Sequence, residues 1–168
     1  MVLLSEKGMT TLGKVSEQVK MMSAECWDAH IPVGEISFND LETVTIPGSP
    51  HQLKSVAQRA ISSMLGIPHY YLQKCSKQLQ ADNLNHWITR ESNVYLFFRF
   101  DGQAVRAIFT PRYKPMDNNV VLSRLLQVGF DPDNKVQYAL DSEFMSLSIP
   151  DDRKTFSIHG DHITPGIS

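Results

Sequence analysis

The segment that decides the fold runs from Asn93 to Thr110 and reads NVYLFFRFDGQAVRAIFT. Aromatic and β-branched residues fill both of its halves, and such residues favour β-strands. Asp101-Gly102, between the two halves, is a dipeptide typical of tight hairpin turns. The segment therefore predicts two antiparallel strands, over residues 93–100 and 103–110, joined by that turn.

Side chains alternate between the two faces of a strand. Phe98 and Phe100 therefore share one face of the first strand, and Phe97 and Arg99 share the other. Arginine can hold a phosphate with two parallel hydrogen bonds, and an exposed aromatic ring can stack on a base. Such a face predicts a platform for a single-stranded nucleic acid. The same alternation is also typical of a half-buried strand whose phenylalanines fill the core and whose arginines face solvent.

More basic residues follow in the return strand and in the loop over residues 111–115. A loop between a strand and a helix often carries the polar side chains and backbone N–H groups that meet a ligand. We expect arginine and lysine here to bind phosphate and the tyrosine to stack on a base. The predicted nucleic-acid-binding residues are Arg99, Arg106, Arg112, Tyr113 and Lys114.

Three helices are predicted before the hairpin. The first, over residues 9–27, follows from apolar residues at steps of three and four, which make one stripe along a helix. These residues are Leu12, Val15, Val19, Met22 and Cys26. Ser49-Pro50 suits the start of a second helix and Gly66 its end. Ser76 is predicted to cap a third helix, with Trp87 in the core.

After the hairpin, Asp117 is predicted to cap a further helix, and two more strands are predicted between residues 135 and 149. Helices first and strands later favour an α+β fold, with amino-terminal helices followed by a mainly antiparallel sheet on which one or more helices pack. We predict an amino-terminal helical extension over residues 1–30 and a single α+β domain over residues 31–168. The last residues lack a polar tail or a helix stop, so the domain is expected to be incomplete at its carboxyl end.

The composition of the 168-residue chain limits its function. A formal net charge of −2 argues against a strongly basic nucleic-acid binder, although a local basic patch depends on where the charges lie. No apolar run reaches the roughly 18 residues that a membrane helix needs, and the start of the chain lacks the pattern of a signal peptide. Cys26 and Cys75 have no metal-like spacing, which indicates reduced thiols in a cytoplasmic protein. No cofactor is expected.

Three other interpretations stay open. The helix over residues 9–27 can bind a protein partner or a second copy of the chain, which would suit an interaction module or accessory factor. Residues 61–72 have the spacing of a helix-turn-helix motif, and equally of an ordinary helical corner. His159, Asp161 and His162 are metal-binding residue types and would suit a metal-dependent hydrolase, but a hairpin turn explains them as well. A non-enzymatic protein is favoured, because the sequence has no phosphate loop and no nucleophile elbow.

Several segments, taken in order, carry a resemblance. They are residues 65–72, residues 81–87, residues 105–118 and residues 160–167. The strongest is the third, which ends in the pattern Arg-Tyr-x-x-x-Asp-Asn. Over roughly residues 30–168 the chain resembles the phage/plasmid-like family known as domain of unknown function 932.

This resemblance implies a protein of phages, plasmids or other mobile elements, with a role in DNA replication or recombination and no assigned enzyme activity. The chain departs from the family pattern at Thr110-Pro111, where the pattern has Ser-Asp, and this removes a carboxylate. Members of the family also continue beyond the position of Ser168. The resemblance therefore implies that this chain is an amino-terminal portion.

Overall fold

The structure is a computed structural model that describes residues 6–141, 144–150, 156–158, 161–163 and 166–167. Its helices are α1 (Leu12–Met22), α2 (Ser55–Met64), α3 (His69–Lys74), α4 (Lys77–Ile88) and α5 (Asn118–Gln127). Its strands are β1 (Glu6–Thr11), β2 (Cys26–Pro32), β3 (Ser37–Phe38), β4 (Thr43–Ile46), β5 (Ser49–Gln52), β6 (Tyr95–Asp101), β7 (Ala104–Phe109), β8 (Lys135–Leu140), β9 (Met145–Pro150), β10 (Phe156–Ile158), β11 (Asp161–Ile163) and β12 (Gly166–Ile167).

The prediction of a mixed fold with antiparallel sheets is confirmed, but the predicted order is wrong because a strand comes first. β1 pairs along its whole length with β8, from Glu6 opposite Leu140 to Thr11 opposite Lys135. Thr11 then caps α1, since its Oγ1 accepts a hydrogen bond from the backbone N–H of Lys14 at 3.4 Å. The helix predicted over residues 9–27 is therefore limited to α1, and the residues on either side of it enter β1 and β2.

The helix predicted to start at Ser49-Pro50 begins instead at Ser55. Ser49 and Pro50 lie in β5, which pairs with β4 through a turn at Gly48, whose φ is 79°. Only glycine adopts such a φ without steric cost. β5 is an edge strand of the sheet β3-β4-β5, and proline is tolerated at an edge where the N–H that it lacks would point away from the neighbouring strand.

The chain divides into two compact units. We call Glu25–Pro115 the central unit, and Met1–Ala24 together with Met116–Ser168 the terminal unit. The domain boundary predicted at residue 30 stays a prediction; the two compact units divide the chain after residues 24 and 115. Each unit has a hydrophobic core of its own.

The central unit combines the sheets β2-β6-β7 and β3-β4-β5 with α2, α3 and α4. α2 packs on the inner face of β7, and side chains from both sheets complete the core. The hairpin prediction is confirmed, since β6 pairs with β7 and Gly102 turns the chain with a φ of 54°. Trp87 on α4 is 45% exposed, so its predicted place in the core is wrong.

The terminal unit combines the sheet β1-β8-β9-β12 with α1 and α5. Its core contains Leu12, Val15 and Val19 of the predicted apolar stripe, with Met22 packed against them, while Cys26 lies in β2 of the central unit. The other buried members of this core are Leu122, Val136, Leu140 and Ile149. Because this stripe is buried within its own unit, it gives no support to a partner-binding helix. None of the described helices is long and apolar enough to cross a membrane.

Candidate nucleic-acid interface

The sheet β2-β6-β7 has an inner face in the core of the central unit and an outer face opposite to it. Phe98 and Phe100 point inward and are fully buried, as the alternation in the sequence predicts. Phe97 and Arg99 point outward from the same strand. Two cross-strand rows therefore lie on the outer face. The first row contains Asp28, Arg99 and Ala107, and the second contains His30, Phe97 and Phe109.

Aromatic rings cover much of this outer face. Tyr113, from the loop after β7, stacks on Phe109 with the ring centroids 3.7 Å apart and the planes at 4°. Its centroid is 5.7 Å from that of Phe97. On the β2 side, His30 contacts Tyr95 edge-on at 5.1 Å, and Tyr95 is 40% exposed. Phe97 is only 6% exposed, so the aromatic surface that stays partly exposed consists of Tyr95 and the stacked pair of Phe109 and Tyr113.

Arg99 lies in the middle of the outer face and is only 7% exposed. Its Nε donates to Oδ1 of Asp28 at 2.9 Å, and its Nη1 donates to the hydroxyl of Tyr113 at 3.4 Å. The guanidinium also lies 6.0 Å from the centroid of the Tyr113 ring. The predicted phosphate-binding arginine is thus buried and engaged with two protein side chains.

Arg106 is the additional residue of a β-bulge. Arg99 is opposite Ala107 and Phe100 is opposite Val105, so Arg106 has no cross-strand counterpart. Its side chain is half-buried, and its charge acts on the thiol of Cys26. Burial raises the pKa of that thiol, and the positive charge of Arg106 offsets part of the rise.

Arg112 and Lys114 flank Tyr113 and are exposed. The backbone N–H of Tyr113 donates to the carbonyl of Thr110 at 3.0 Å, which closes a turn at this point. Across the part of the chain that the structure describes, no carboxylate lies within salt-bridge distance of either cation. Of the five predicted residues, the structure brings Arg99 and Tyr113 into contact and leaves these two cations in solvent beside them.

The possible helix-turn-helix over residues 61–72 is held by internal contacts. The hydroxyl of Ser62 is buried, donates to the carbonyl of Gln58 at 2.6 Å and lies 3.3 Å from Nδ1 of His69. α3, the second helix of this motif, has six residues. Lys74 on α3 lies over the ring of Tyr70 at 5.3 Å. These contacts fit an ordinary helical corner.

The possible metal site lies largely outside the described residues. His159 is not described, and Asp161 and His162 are described only as part of β11. Among the residues with described side chains, no group of three His, Cys, Asp or Glu could hold a metal ion.

Asp28, His30 and Phe109 are members of this surface that the sequence analysis did not single out. The predicted helix over residues 9–27 covers the first two residues of β2, so the strand that carries Asp28 and His30 was not predicted. The alternation of Trp27, Ala29 and Ile31 with these polar residues is the signal that could have identified the strand.

No protein-family model, curated protein or solved structure matches this chain. The resemblance to the phage/plasmid-like family therefore stays a prediction.

Proposed function

We propose that the central unit binds single-stranded nucleic acid through the outer face of the sheet β2-β6-β7 and the adjoining loop. The protein would act without catalysing a reaction, as a DNA-binding component in the replication or recombination of a mobile element. The choice of DNA follows from the resemblance to phage/plasmid-like proteins. The binding mode follows from the residues on the sheet.

The observation that carries the proposal is the stacked pair of Phe109 and Tyr113 flanked by the exposed cations Arg112 and Lys114. Aromatic rings on a surface can stack on unpaired bases of any sequence, and cations beside them attract the phosphate backbone. A base in a duplex has its faces covered by its neighbours, so a stacking surface of this kind favours a single strand.

Each residue has a proposed role that follows from its surroundings. Arg112 and Lys114 would contact phosphates, because both are solvated. Arg106, half-buried in the bulge, would add positive charge at the far end of the face. Tyr113 would offer its exposed part to a base, and Tyr95 would support a second base on the β2 side.

The net charge of the whole chain does not prevent this binding. Residues 25–115 contain nine Lys and Arg and eight Asp and Glu, so the central unit is close to neutral while the whole chain carries −2. Three of those cations are paired with carboxylates, as Lys54 is with Asp101, Lys77 with Asp40 and Arg99 with Asp28. The field at the loop therefore depends mainly on Arg112 and Lys114.

Binding of a fluorescent single-stranded oligonucleotide, followed by anisotropy over a series of salt concentrations, tests the proposal. Because bound cations release counterions, affinity should fall steeply as salt rises. Arg112→Ala combined with Lys114→Ala should weaken binding on all sequences alike. It should also reduce the slope of log affinity against log salt by about 1.4, at roughly 0.7 per phosphate contact on a single strand.

A matched control removes two lysines from the terminal unit. Lys14 and Lys20 are exposed on α1, and alanine favours a helix, so Lys14→Ala with Lys20→Ala changes the net charge equally without disturbing the fold. This variant should keep the full salt slope. Salt-independent binding, or equal losses in the two double variants, would contradict the proposal.

A further inference from the structure

Two part-buried hydrogen bonds of Arg99 connect β2 and β6 to the loop that carries the exposed cations. Arg99 lies between Asp28 and Tyr113, at 2.9 Å from the first and 3.4 Å from the second. The first contact joins β2 to β6, 71 residues apart, and the second joins β6 to the loop after β7. Tyr113 is held a second time by its stacking on Phe109 at 3.7 Å.

We infer that Asp28 and Arg99 are positioning residues that fix Tyr113, and thereby present Arg112 and Lys114 as a preformed pair of cations. The inference rests on the proposed function for its consequence in binding, and it changes the predicted role of Arg99. Arg99 is 7% exposed and engaged by a carboxylate, so it does not contact phosphate itself. A ligand-binding loop that is ordered in advance loses less entropy when it binds.

Arg99 is suited to this role by its shape. Its planar guanidinium carries several N–H donors in fixed directions, so it can bridge a carboxylate and a hydroxyl at the same time. A lysine would keep the charge but would not bridge the same two partners in one geometry. Arg99→Lys therefore separates positioning from charge.

For Asp28→Asn, electrostatics and positioning predict opposite changes in affinity. Removing a carboxylate makes the surface more positive, so electrostatics alone would strengthen binding to an anion. A positioning role requires the opposite. We expect Asp28→Asn and Arg99→Lys to weaken oligonucleotide binding roughly fivefold to tenfold, which corresponds to the net contribution of one ordinary hydrogen bond, with an unchanged salt slope.

Glu35→Gln is the matched control, because Glu35 is also an exposed carboxylate of the central unit. Its removal should leave affinity equal or slightly higher. A salt slope reduced by about 0.7 for Arg99→Gln, which removes the charge, would show that Arg99 contacts phosphate and would overturn the inference.

Limited trypsin digestion provides a second measurement that needs no nucleic acid. Trypsin can cut the bond between Arg112 and Tyr113, while the bond after Lys114 is protected by Pro115. Asp28→Asn should accelerate cleavage after Arg112 roughly tenfold relative to cleavage after the exposed Arg90 in the same molecule, because a released loop fits a protease more readily.

The two measurements separate the possible failures. Faster cleavage after Arg112 without any oligonucleotide binding by the natural protein would refute the proposed function and support the positioning role of Asp28. Unchanged cleavage in both Asp28→Asn and Arg99→Lys would refute the positioning role, even if the natural protein binds oligonucleotides.

Discussion

Asp40 is a buried carboxylate whose surroundings determine its charge. Burial alone would raise the pKa of Asp40. Its carboxylate, however, accepts a hydrogen bond from Lys77 at 3.0 Å and further hydrogen bonds from the backbone N–H groups of Glu42 and Thr43. These hydrogen bonds outweigh burial and lower the pKa below its ordinary value of 3.8. A carboxyl group whose pKa is lowered by folding stabilises the folded state above its ordinary pKa. That contribution is lost as the pH falls through the lowered value.

Asp40→Asn should therefore destabilise the protein at pH 7 and change its stability little near pH 2. The reason is that the natural protein loses the charged interactions of Asp40 as the carboxylate becomes protonated. Urea unfolding at several pH values measures this difference. Asp82→Asn, on the exposed side of α4, is the control for the loss of a carboxylate as such. An equal gap between Asp40→Asn and the natural protein at both pH values would contradict the prediction.

Trp87 and Phe98 differ in burial, and their alanine variants should differ accordingly. Phe98 is 0% exposed in the core of the central unit, so Phe98→Ala should cost about 3–5 kcal/mol. Trp87 is 45% exposed on α4, and alanine is the better helix former, so Trp87→Ala should cost clearly less than Phe98→Ala, about 1–2 kcal/mol. Urea unfolding of the two variants side by side checks this. Similar costs would show that Trp87 is as important to the fold as Phe98.

For single residues, the sequence predicts the direction in which a side chain points better than it predicts the side chain that it contacts. The alternation in β6 correctly separates Phe98 and Phe100 from Phe97 and Arg99, because a strand has a fixed period of two. The pairing of Arg99 with Asp28 joins positions 71 residues apart, and no local pattern contains that information. Arg99 therefore looked like a binding residue in the sequence and is buried in the structure.

Helix α4 begins after Ser76, which the sequence predicts as its cap. The Oγ of Ser76 accepts a hydrogen bond from the backbone N–H of Leu79 at 3.3 Å, as the sequence predicts. Ser76→Ala should lower the free energy of unfolding by about 1 kcal/mol, the usual value of a helix cap. Ser63→Ala, at an exposed position of α2, is the control and should be nearly neutral. A calorimetric comparison that finds equal effects would contradict a capping role for Ser76.

The element boundaries that were predicted wrongly share one physical cause. Residues 9–11 and residues 49–52 carry patterns compatible with a helix, yet both form strands. The backbone groups of the first segment pair with the distant β8, and those of the second pair with the neighbouring β4. Tertiary pairing overrides local preference in such segments. Gly66 is predicted correctly as a helix end and Gly102 as a turn, because glycine alone adopts a positive φ without steric cost.

For the molecule as a whole, the central unit should fold by itself. Its core is built entirely from residues 25–115, and all the strands of its two sheets come from that range. A fragment of residues 25–115 should unfold cooperatively in urea, with coincident transitions by circular dichroism and tryptophan fluorescence. The same fragment with Phe98→Ala should unfold at lower urea. A gradual transition without a midpoint would show that the fragment depends on the rest of the chain.

The pairing of β1 with β8 has a consequence for synthesis on the ribosome. The partners of Glu6–Thr11 lie at Lys135–Leu140, so the first strand must wait for most of the chain to be translated before it can pair. All the pairings of the central unit are complete by Phe109. Contacts between distant positions form slowly, and early segments fold as they emerge. We therefore expect a nascent chain whose middle is folded while its first strand is still exposed to chaperones.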